Sequence, residues 1–265
     1  MSHQVLSITD AIAKVPSVGA EAPAECVSKH YSFLPSKRII EDMSSLSWDL
    51  VQVKGIKSSG KNKYRKEHGR HFLIFQNAGI KITKEDTTEA IPQIIVENNS
   101  MGTGRLKIHI GIFRLVCENG LVIAEQSLGQ YKMRHMKYTY EDLQELVNKI
   151  VADLPIAVEK INTFTAKELT EAEMKQLANE ALKVRLGSDR VATNEEIAEL
   201  LKPRREADKG NDLWRVFNRV QESVMRGGGM FIDSTGKMRK MKATTNIMVE
   251  ADMNKKLWEI AETYA

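Results

Sequence analysis

The chain has 265 residues, and its 39 lysines and arginines nearly balance 35 aspartates and glutamates, leaving a net charge of +4. Hydrophobic residues make up 42% of the chain and charged residues 28%, a balance that excludes an intrinsically disordered protein. No apolar run approaches the roughly 20 residues that cross a bilayer, and the N-terminus lacks the pattern of a secretory signal. Two cysteines far apart, Cys26 and Cys117, indicate a reducing compartment. We therefore expect a cytoplasmic protein without membrane contact.

The first half of the chain is predicted to form β-strands. Residues 1–30 read as a short amphipathic segment that we expect to be mobile. The period-2 patterns that follow predict strands over Ser47–Ile56, Arg70–Asn77, Ile91–Asn98 and Arg105–Phe113. In the last of these the even positions are apolar, while the odd positions begin with Arg105, Lys107 and His109. One face of the sheet is therefore predicted to be apolar and the other to be partly basic.

The pattern changes at Thr139 to the 3.6-residue period of helices. Apolar residues from Leu143 to Ile161 predict one long helix, which Pro155 is expected to bend or divide. Later helices are predicted from the capping boxes Thr170–Glu173 and Thr193–Glu196, and over Asp212–Met225 and Val249–Tyr264. The outward face of the helix Asp212–Met225 is expected to carry Arg215, Asn218, Arg219, Gln221 and Glu222.

Strands followed by helices predict an α+β fold. We expect an antiparallel sheet with a long basic β-hairpin, backed by the long helix and followed by a mainly helical C-terminal half. The expected regions are the N-terminal segment 1–30, a core of sheet and long helices over 31–186, and a helical lobe with a small basic hairpin over 187–265.

The segment Lys54–His71, here called the basic segment, concentrates positive charge between the strands of the predicted hairpin. It holds seven lysines and arginines and a single acid, Glu67, so it carries +6 in a chain of net charge +4. Like charges repel unless a polyanion neutralises them, and an aromatic ring among cations suits an unstacked base. A solvated surface loop is the alternative interpretation. The predicted nucleic-acid contacts here are Lys54, Lys57, Lys61, Lys63, Tyr64, Arg65, Lys66 and Arg70.

Two further acid-poor clusters extend this prediction. In the core region, predicted contacts continue through Arg105, Lys107, Tyr131, Lys132, Arg134, Lys137 and Tyr138. The late hairpin adds the third cluster, Lys237, Arg239, Lys240 and Lys242. We predict that the cations of separate stretches converge on one path for a sugar–phosphate chain.

The patterns of catalytic chemistry are missing from the sequence. His68 and His71 have HxxH spacing, but a cationic segment repels a metal ion, so surface or strand histidines are the favoured interpretation. The sequence has no phosphate-binding glycine loop of the P-loop type and no nucleophile elbow. We therefore predict no catalytic residue, no metal site, no cofactor and no enzymatic activity. A nuclease is the least favoured alternative, because acids are not clustered.

Several segments follow one another in the order of a known family: HFLIFQNAGI, PQIIVENNSMGTG, FRLVCENGL, RHMKYTYED, LLKPRREAD and LWRVFNRVQESVMRGGG. From about residue 30 to the C-terminus the chain resembles a phage- and plasmid-borne family catalogued as a domain of unknown function and labelled phage/plasmid-like protein. The resemblance implies a mobile genetic element in a bacterial host cytoplasm, commonly near replication and recombination genes. It implies no mechanism.

The chain departs from this family at one motif. Where members read Asn-Ser-His-Asp-Gly-Ser, the chain reads NNSMGT over Asn98–Thr103. A role for the His-Asp pair as acid, base or metal ligand is therefore missing in this chain. Either this member has lost an activity, or the motif is a turn.

The predicted architecture is also similar to that of Erf- and RecT-like single-strand annealing proteins, although no motif is shared. In those proteins a hairpin and a helix form a groove for DNA, and subunits assemble into rings or filaments. The sequence thus predicts a non-enzymatic, homo-oligomeric single-stranded DNA-binding protein of a phage or plasmid, acting in annealing and recombination or in strand protection. Duplex DNA or RNA are alternative polyanions. The alternative function is that of an interaction protein whose basic segment binds an acidic surface of a host factor. A basic segment that attracts an acidic protein looks the same in sequence as one that attracts DNA.

Overall fold

The computed structural model describes residues 4–55, 64–84, 87–102, 106–114, 119–122, 131–133, 138–187, 191–233, 235–244 and 246–265. The chain divides into two compact units, Met1–Leu154 and Pro155–Ala265. The predicted fold class is confirmed, since an antiparallel sheet lies in the first unit and helices dominate the C-terminal half. Among the described residues, no helix is long and apolar enough to span a membrane.

The N-terminal segment is packed into the first unit. It contains helix α1 (Ile8–Lys14) and a short 3-10 helix (Pro16–Gly19), and helix α2 (Ser36–Ser45) follows. The Leu6 N–H donates a 2.7 Å hydrogen bond to the Leu50 carbonyl oxygen. Four apolar residues of the segment are buried: Ala11, Val15, Val18 and Ala24. The segment that we expected to be mobile therefore contributes to the core of the first unit.

The described strands of the first unit form one antiparallel sheet. They are β1 (Asp49–Gly55), β2 (His71–Gln76), β3 (Ile82–Lys84), β4 (Thr87–Asn98), β5 (Leu106–Arg114), β6 (Asn119–Val122) and β7 (Tyr131–Met133). Their order across the sheet is β1-β2-β4-β5-β6, while β3 pairs with β4 and β7 pairs with β5. β1 and β2 are the strands of the predicted hairpin, with helix α3 (Tyr64–His68) between them in sequence.

The two faces of the sheet differ as the alternation in β5 predicts. Leu106, Ile108 and Ile110 are buried. Val96 and Ile94 of β4 are the register partners of Ile108 and Ile110, and both are buried as well. The alternate position Lys107 pairs with Glu97. Because side chains alternate along a strand, these residues share one face and Lys107 belongs to the other, where Phe72, Ile74 and Ile95 are buried as well.

Helix α4 (Tyr140–Ala166) runs without interruption through Pro155. Proline removes one backbone hydrogen bond from a helix, but here it does not divide the helix. The boundary between the compact units falls at this proline. The first unit's part of α4 buries Leu143, Val147, Ile150 and Leu154. This stripe is the one that the 3.6-residue period predicts.

Three helices of the second unit begin where the sequence predicts, and the last begins two residues before the predicted Val249. The helices are α5 (Glu171–Leu186), α6 (Asn194–Leu201), α7 (Leu213–Met225) and α8 (Ile247–Glu262). Thr170 and Thr193 form capping boxes, and the Asp212 side chain accepts from the Arg215 N–H. The expected boundary between residues 186 and 187 lies inside this unit, at the end of α5.

Most polar residues expected on the outward face of α7 are buried instead. They are Asn218, Arg219, Gln221 and Glu222. The Asn218 amide donates to the Trp214 carbonyl oxygen at 2.7 Å, and the Gln221 amide donates to Asn254 of α8 at 2.7 Å. The expectation was wrong because α5, α6 and α8 all pack against α7, so its polar positions also meet neighbouring elements.

A glycine run after α7 allows a close approach between backbones. β8 (Met230–Ile232) and β9 (Met238–Lys240) then form the predicted small hairpin. Gly227 has a φ of +82°, and a Cβ there would lie 2.6 Å from the Met241 carbonyl oxygen. Both the left-handed conformation and the missing side chain are therefore required at this position.

Candidate nucleic-acid interface

Several of the predicted nucleic-acid contacts lie in one register row of the sheet, which means that they are directly opposite one another in neighbouring strands. This row, here called the lysine row, consists of Lys54 in β1, Phe72 in β2, Glu97 in β4, Lys107 in β5 and Lys132 in β7. Gly55 and His71 pair in the neighbouring row. The basic segment therefore leaves and re-enters the sheet beside the lysine row.

Glu97 is a buried acid on which several cations converge. Its Oε1 lies 3.1 Å from Arg70 Nε, and its Oε2 lies 3.5 Å from Lys107 Nζ and 3.8 Å from His109 Nε2. The Glu97 side chain is 5% exposed, whereas those of Arg70 and Lys107 are 24% and 34% exposed. One carboxylate thus holds two predicted phosphate contacts in place, and a single negative charge cancels only part of their positive charge.

The same cations keep Glu97 ionised. Burial raises the pKa of Glu97, but the adjacent His109 and the charges of Lys107 and Arg70 outweigh burial and hold this pKa below its ordinary value. His109 Nε2 lies 3.8 Å from Glu97 Oε2, and this ring adds to the stabilisation of the ionised carboxylate. At neutral pH Glu97 is therefore a fixed negative charge within a positive row.

Two predicted base-stacking tyrosines are tied to acids. The Tyr138 hydroxyl donates to Asp42 Oδ2 at 2.8 Å, and the Arg38 guanidinium lies 5.2 Å from the Tyr138 ring centroid. Burial raises the pKa of the Tyr138 hydroxyl, and Asp42 raises it further. The Tyr64 hydroxyl donates to Glu25 Oε2 at 3.0 Å. One face of the Tyr138 ring is thus already occupied by a cation.

His71 lies fully buried at the end of the basic segment. Its Nε2 is 2.7 Å from Ser36 Oγ, and its Nδ1 is 3.0 Å from both Ser17 Oγ and the Gly69 carbonyl oxygen. Ser36 Oγ accepts from the Asn98 amide at 2.8 Å. The Gly69 carbonyl oxygen can only accept, so its partner Nδ1 donates, and Nε2 of the neutral ring accepts from the Ser36 hydroxyl. The hydrogen of His71 is then on Nδ1 and is donated to Gly69. Burial accordingly lowers the pKa of His71 to about 4.

The interpretation of HxxH as a strand histidine rather than a metal site agrees with this bonding for His71. Both ring nitrogens of His71 are already within hydrogen-bond distance of oxygen atoms. Over the part of the chain that the structure describes, no three His, Cys, Asp or Glu side chains are grouped to hold a metal ion.

The sequence model of one protein family, described as "Domain of unknown function (DUF932)", matches residues 23–258. The chain belongs to this family. The match includes the lysine row, His71 with its partners Ser36 and Gly69, and most of the second unit. The family assignment made from the sequence motifs is confirmed.

Two relatives from Escherichia coli (strain K12) are similar to this DUF932 protein over most of their length. UPF0380 protein YfjQ is 28% identical over 249 residues, which cover 94% of this chain and 88% of the relative. UPF0380 protein YafZ is 28% identical over 248 residues, which cover 94% of this chain and 87% of the relative. No solved structure matches the chain.

The DUF932 segment Asn98–Gly102 forms a bend after β4. The Tyr31 hydroxyl donates to the Asn99 carbonyl oxygen at 2.9 Å. Gly102 has a φ of +67°, and a Cβ there would lie 2.8 Å from Val27 Cγ1. These contacts favour the interpretation of the NNSMGT motif as a turn, because its backbone serves packing.

Many predicted contacts fall where the structure does not describe side chains. Lys57, Lys61, Lys63, Arg105, Arg134 and Lys137 lie outside the described residues. For Arg65, Tyr131 and Lys132 only the backbone is described. Of the remaining predicted cations, Lys66 in α3 is exposed and Lys54 is half-buried. Their roles in nucleic-acid binding stay predictions.

Sequence reasoning missed the acids and the arginine that hold the predicted contacts. Glu97 and Asp42 bind three of them, and Arg38 covers Tyr138. The available signal for Glu97 was its position, since it directly follows three apolar residues, Ile94 to Val96, within a strand. An acid in such a run needs a cationic partner. The register that places Lys107 opposite Glu97 cannot be predicted from the residue pattern of either strand alone.

Proposed function

We propose that this DUF932 protein binds single-stranded DNA at the end of the sheet formed by the lysine row and the basic segment. The observation that carries the proposal is the register itself, in which Lys54, Lys107 and Lys132 share one row with a single acid, Glu97. The basic segment, with its charge of +6, begins and ends beside this row. Positive charge collected at one place attracts a polyanion more strongly than the same charge dispersed over the surface.

Glu97 supports this role because it holds two cations in place before a DNA strand binds. Arg70 and Lys107 are each held within 3.5 Å of the carboxylate and remain partly exposed. A side chain that is already ordered loses less conformational entropy when it binds a phosphate. The two cations together still outweigh the one acid.

Strand annealing or protection is the activity that we propose for this interface. A DNA strand that is bound through its phosphates keeps its base edges free to pair with a complementary strand. Base pairing needs no general acid or base. We propose further that the protein is a homo-oligomer, because several subunits in a row would hold a longer stretch of DNA for pairing. We also propose that it belongs to a phage or plasmid and acts in the cytoplasm of a bacterial host.

The test is a titration of fluorescein-labelled oligothymidylate by anisotropy, between about 50 and 200 mM salt. Wild type is compared with the quadruple variant Lys61→Glu, Lys63→Glu, Arg65→Glu and Lys66→Glu. Wild-type affinity should fall steeply with salt, by a logarithmic slope of roughly 0.7 for each phosphate contact. The variant should lose most of its affinity and most of that slope.

A matched control separates local charge from total charge. Lys175, Lys202, Lys209 and Lys256 are all exposed on the second unit, at 49%, 70%, 63% and 55%. Their change to glutamate alters the net charge equally and should leave most of the binding intact. An affinity that does not change with salt concentration, or equal losses of affinity in both variants, would contradict the proposal.

A further inference from the structure

The second unit contains a basic groove of its own. The groove has a volume of about 330 Å³ and is lined by Arg185, Leu186, Phe231, Arg239, Lys240, Met241 and Lys242. Four of the lining residues are cations, and none is an acid. Three of those cations belong to the third cluster of the sequence, and Arg185 is added by the last turn of α5.

The Arg185 guanidinium is held rigidly at this groove. Its Nη1 donates to Thr244 Oγ1 at 2.8 Å, and its Nη2 donates to the Lys242 carbonyl oxygen at 2.7 Å. The segment after β9 that accepts these bonds is itself fixed, because the Thr244 N–H donates to the Met225 carbonyl oxygen at 2.8 Å. Arg185 is therefore preorganised, and its remaining N–H groups need no further ordering.

The Arg239 side chain is also oriented by a hydrogen bond. Its Nε donates to Asp233 Oδ2 at 2.8 Å, while Asp233 Oδ1 accepts from the Thr235 and Lys237 N–H groups at 2.8 and 3.1 Å. Hydrogen bonds from Thr235 and Arg239 lower the pKa of Asp233, which therefore stays ionised. Asp233 thus orders the hairpin turn and one guanidinium together.

The two lysines of the groove differ from Arg239 in having no acid beside them. Within the described part of the chain, neither the Lys240 nor the Lys242 ammonium has a carboxylate oxygen within 4.0 Å. Both residues are exposed. Phe231 is the register partner of Arg239, so their side chains lie on the same face of the hairpin.

We propose that this groove is a second contact site for single-stranded DNA, in which phosphates bind Lys240, Lys242 and Arg185 while a base lies against Phe231. The identity of the ligand rests on the proposed function. The chemistry that favours a nucleotide is the combination of fixed guanidiniums, ammoniums without acids and an adjacent ring. An acidic peptide would use the cations but would gain nothing from Phe231. The groove volume falls at the lower end of the range for small ligands, roughly 300–1,000 Å³, and suits a single nucleotide unit.

The test uses the full-length chain and the same labelled oligothymidylate. The variant Lys240→Glu with Lys242→Glu should lose at least about tenfold in affinity, and its salt slope should fall by roughly 1.4, because two phosphate contacts disappear. The matched control is Lys202→Glu with Lys209→Glu, which changes the charge equally on exposed lysines that do not line the groove. The control should retain close to wild-type affinity and slope.

The variant Phe231→Leu tests the base contact separately. Loss of stacking should weaken binding about fivefold or more while leaving the salt slope unchanged, because stacking releases no counterions. Unfolding midpoints measured in urea should stay near wild type for these exposed lysines and confirm that the groove variants are folded.

The outcomes distinguish this inference from the proposed function. If wild type binds and the basic-segment variant does not, but the groove variant matches its control, the groove inference is overturned and the proposed function stands. Unchanged affinity in Phe231→Leu overturns the placement of a base in the groove. If wild type shows no salt-dependent binding, the proposed function fails and the groove inference fails with it.

Discussion

His71 is a titratable side chain held neutral inside the first unit, which affects stability at mildly acid pH. Burial lowers its pKa from 6.5 to about 4. As pH falls through this window the unfolded chain takes up a proton that the folded chain cannot accept, so the free energy of unfolding decreases. Below the folded pKa both states are protonated and the effect is complete, at roughly 3 kcal/mol in total. Above pH 6.5 neither state binds the proton, and His71 adds no pH dependence.

The measurement is urea unfolding at several pH values from 7 to about 4, with wild type compared with His71→Gln. The variant should be less stable than wild type at pH 7, because the bonds to Ser36 and Gly69 are altered, but its stability should fall less as pH decreases. His30→Gln serves as the control, since His30 is exposed. Parallel pH curves for wild type and His71→Gln would contradict this account.

At the residue scale, sequence reasoning could identify cations but not their partners. Arg70 and Lys107 were predicted from local charge, and both lie where the proposal needs them. Their shared acid, Glu97, and the pairing of Tyr138 with Asp42 join residues that are far apart in sequence. Such pairs depend on strand register and on helix placement, which a one-dimensional pattern does not contain.

The glycine run between α7 and β8 determines how two elements meet. At Gly227 a methyl group would lie 2.6 Å from the Met241 carbonyl oxygen and 2.7 Å from the Ala243 nitrogen, which are both backbone atoms. Gly236 has a similar φ of +79°, but nothing lies within 4 Å of its added Cβ. Gly236→Ala should therefore cost only the left-handed conformation, about 1–2 kcal/mol. Gly227→Ala should cost clearly more, since the backbone must move apart.

Thermal and urea unfolding of the two alanine variants measure this difference directly. Both glycines have positive φ, so the cost of placing alanine in the left-handed conformation is similar in the two variants. The difference between their free energies of unfolding therefore measures the cost of the close backbone contact at Gly227. Equal destabilisation of the two variants would show that the 241–244 segment can shift away without cost.

Elements were predictable where their signals are local. The capping boxes at Thr170 and Thr193 and the alternation in β5 lie within a few residues, and the structure has them where the sequence predicts. The polar side of α7 was misjudged because three other helices surround it. A helix period shows which positions are apolar, but the number of neighbours decides whether the polar positions are exposed.

At the scale of the whole molecule, the order of strand and helix patterns predicted the class of fold but not the division into units. The change of period near Thr139 correctly separates a sheet-containing half from a helical half. The compact units meet at Pro155 inside α4, because a continuous helix can contribute one stripe to each of two cores. The sequence marks this point through Pro155, but we interpreted that proline as a bend or break in a helix and not as a boundary between units.

Assembly along a strand is the whole-molecule consequence of the proposed function. A single chain of 29.9 kDa presents a short lysine row, so one subunit can hold only a short stretch of DNA. Subunits that each bring a basic segment of charge +6 repel one another until a polyanion neutralises them. Light scattering should therefore detect larger assemblies when oligothymidylate is added, with masses that rise in steps with strand length. The quadruple basic-segment variant should show no such rise. A complex that contains one chain whatever the strand length would exclude a continuous protein-coated template, and annealing would then have to proceed from isolated subunits.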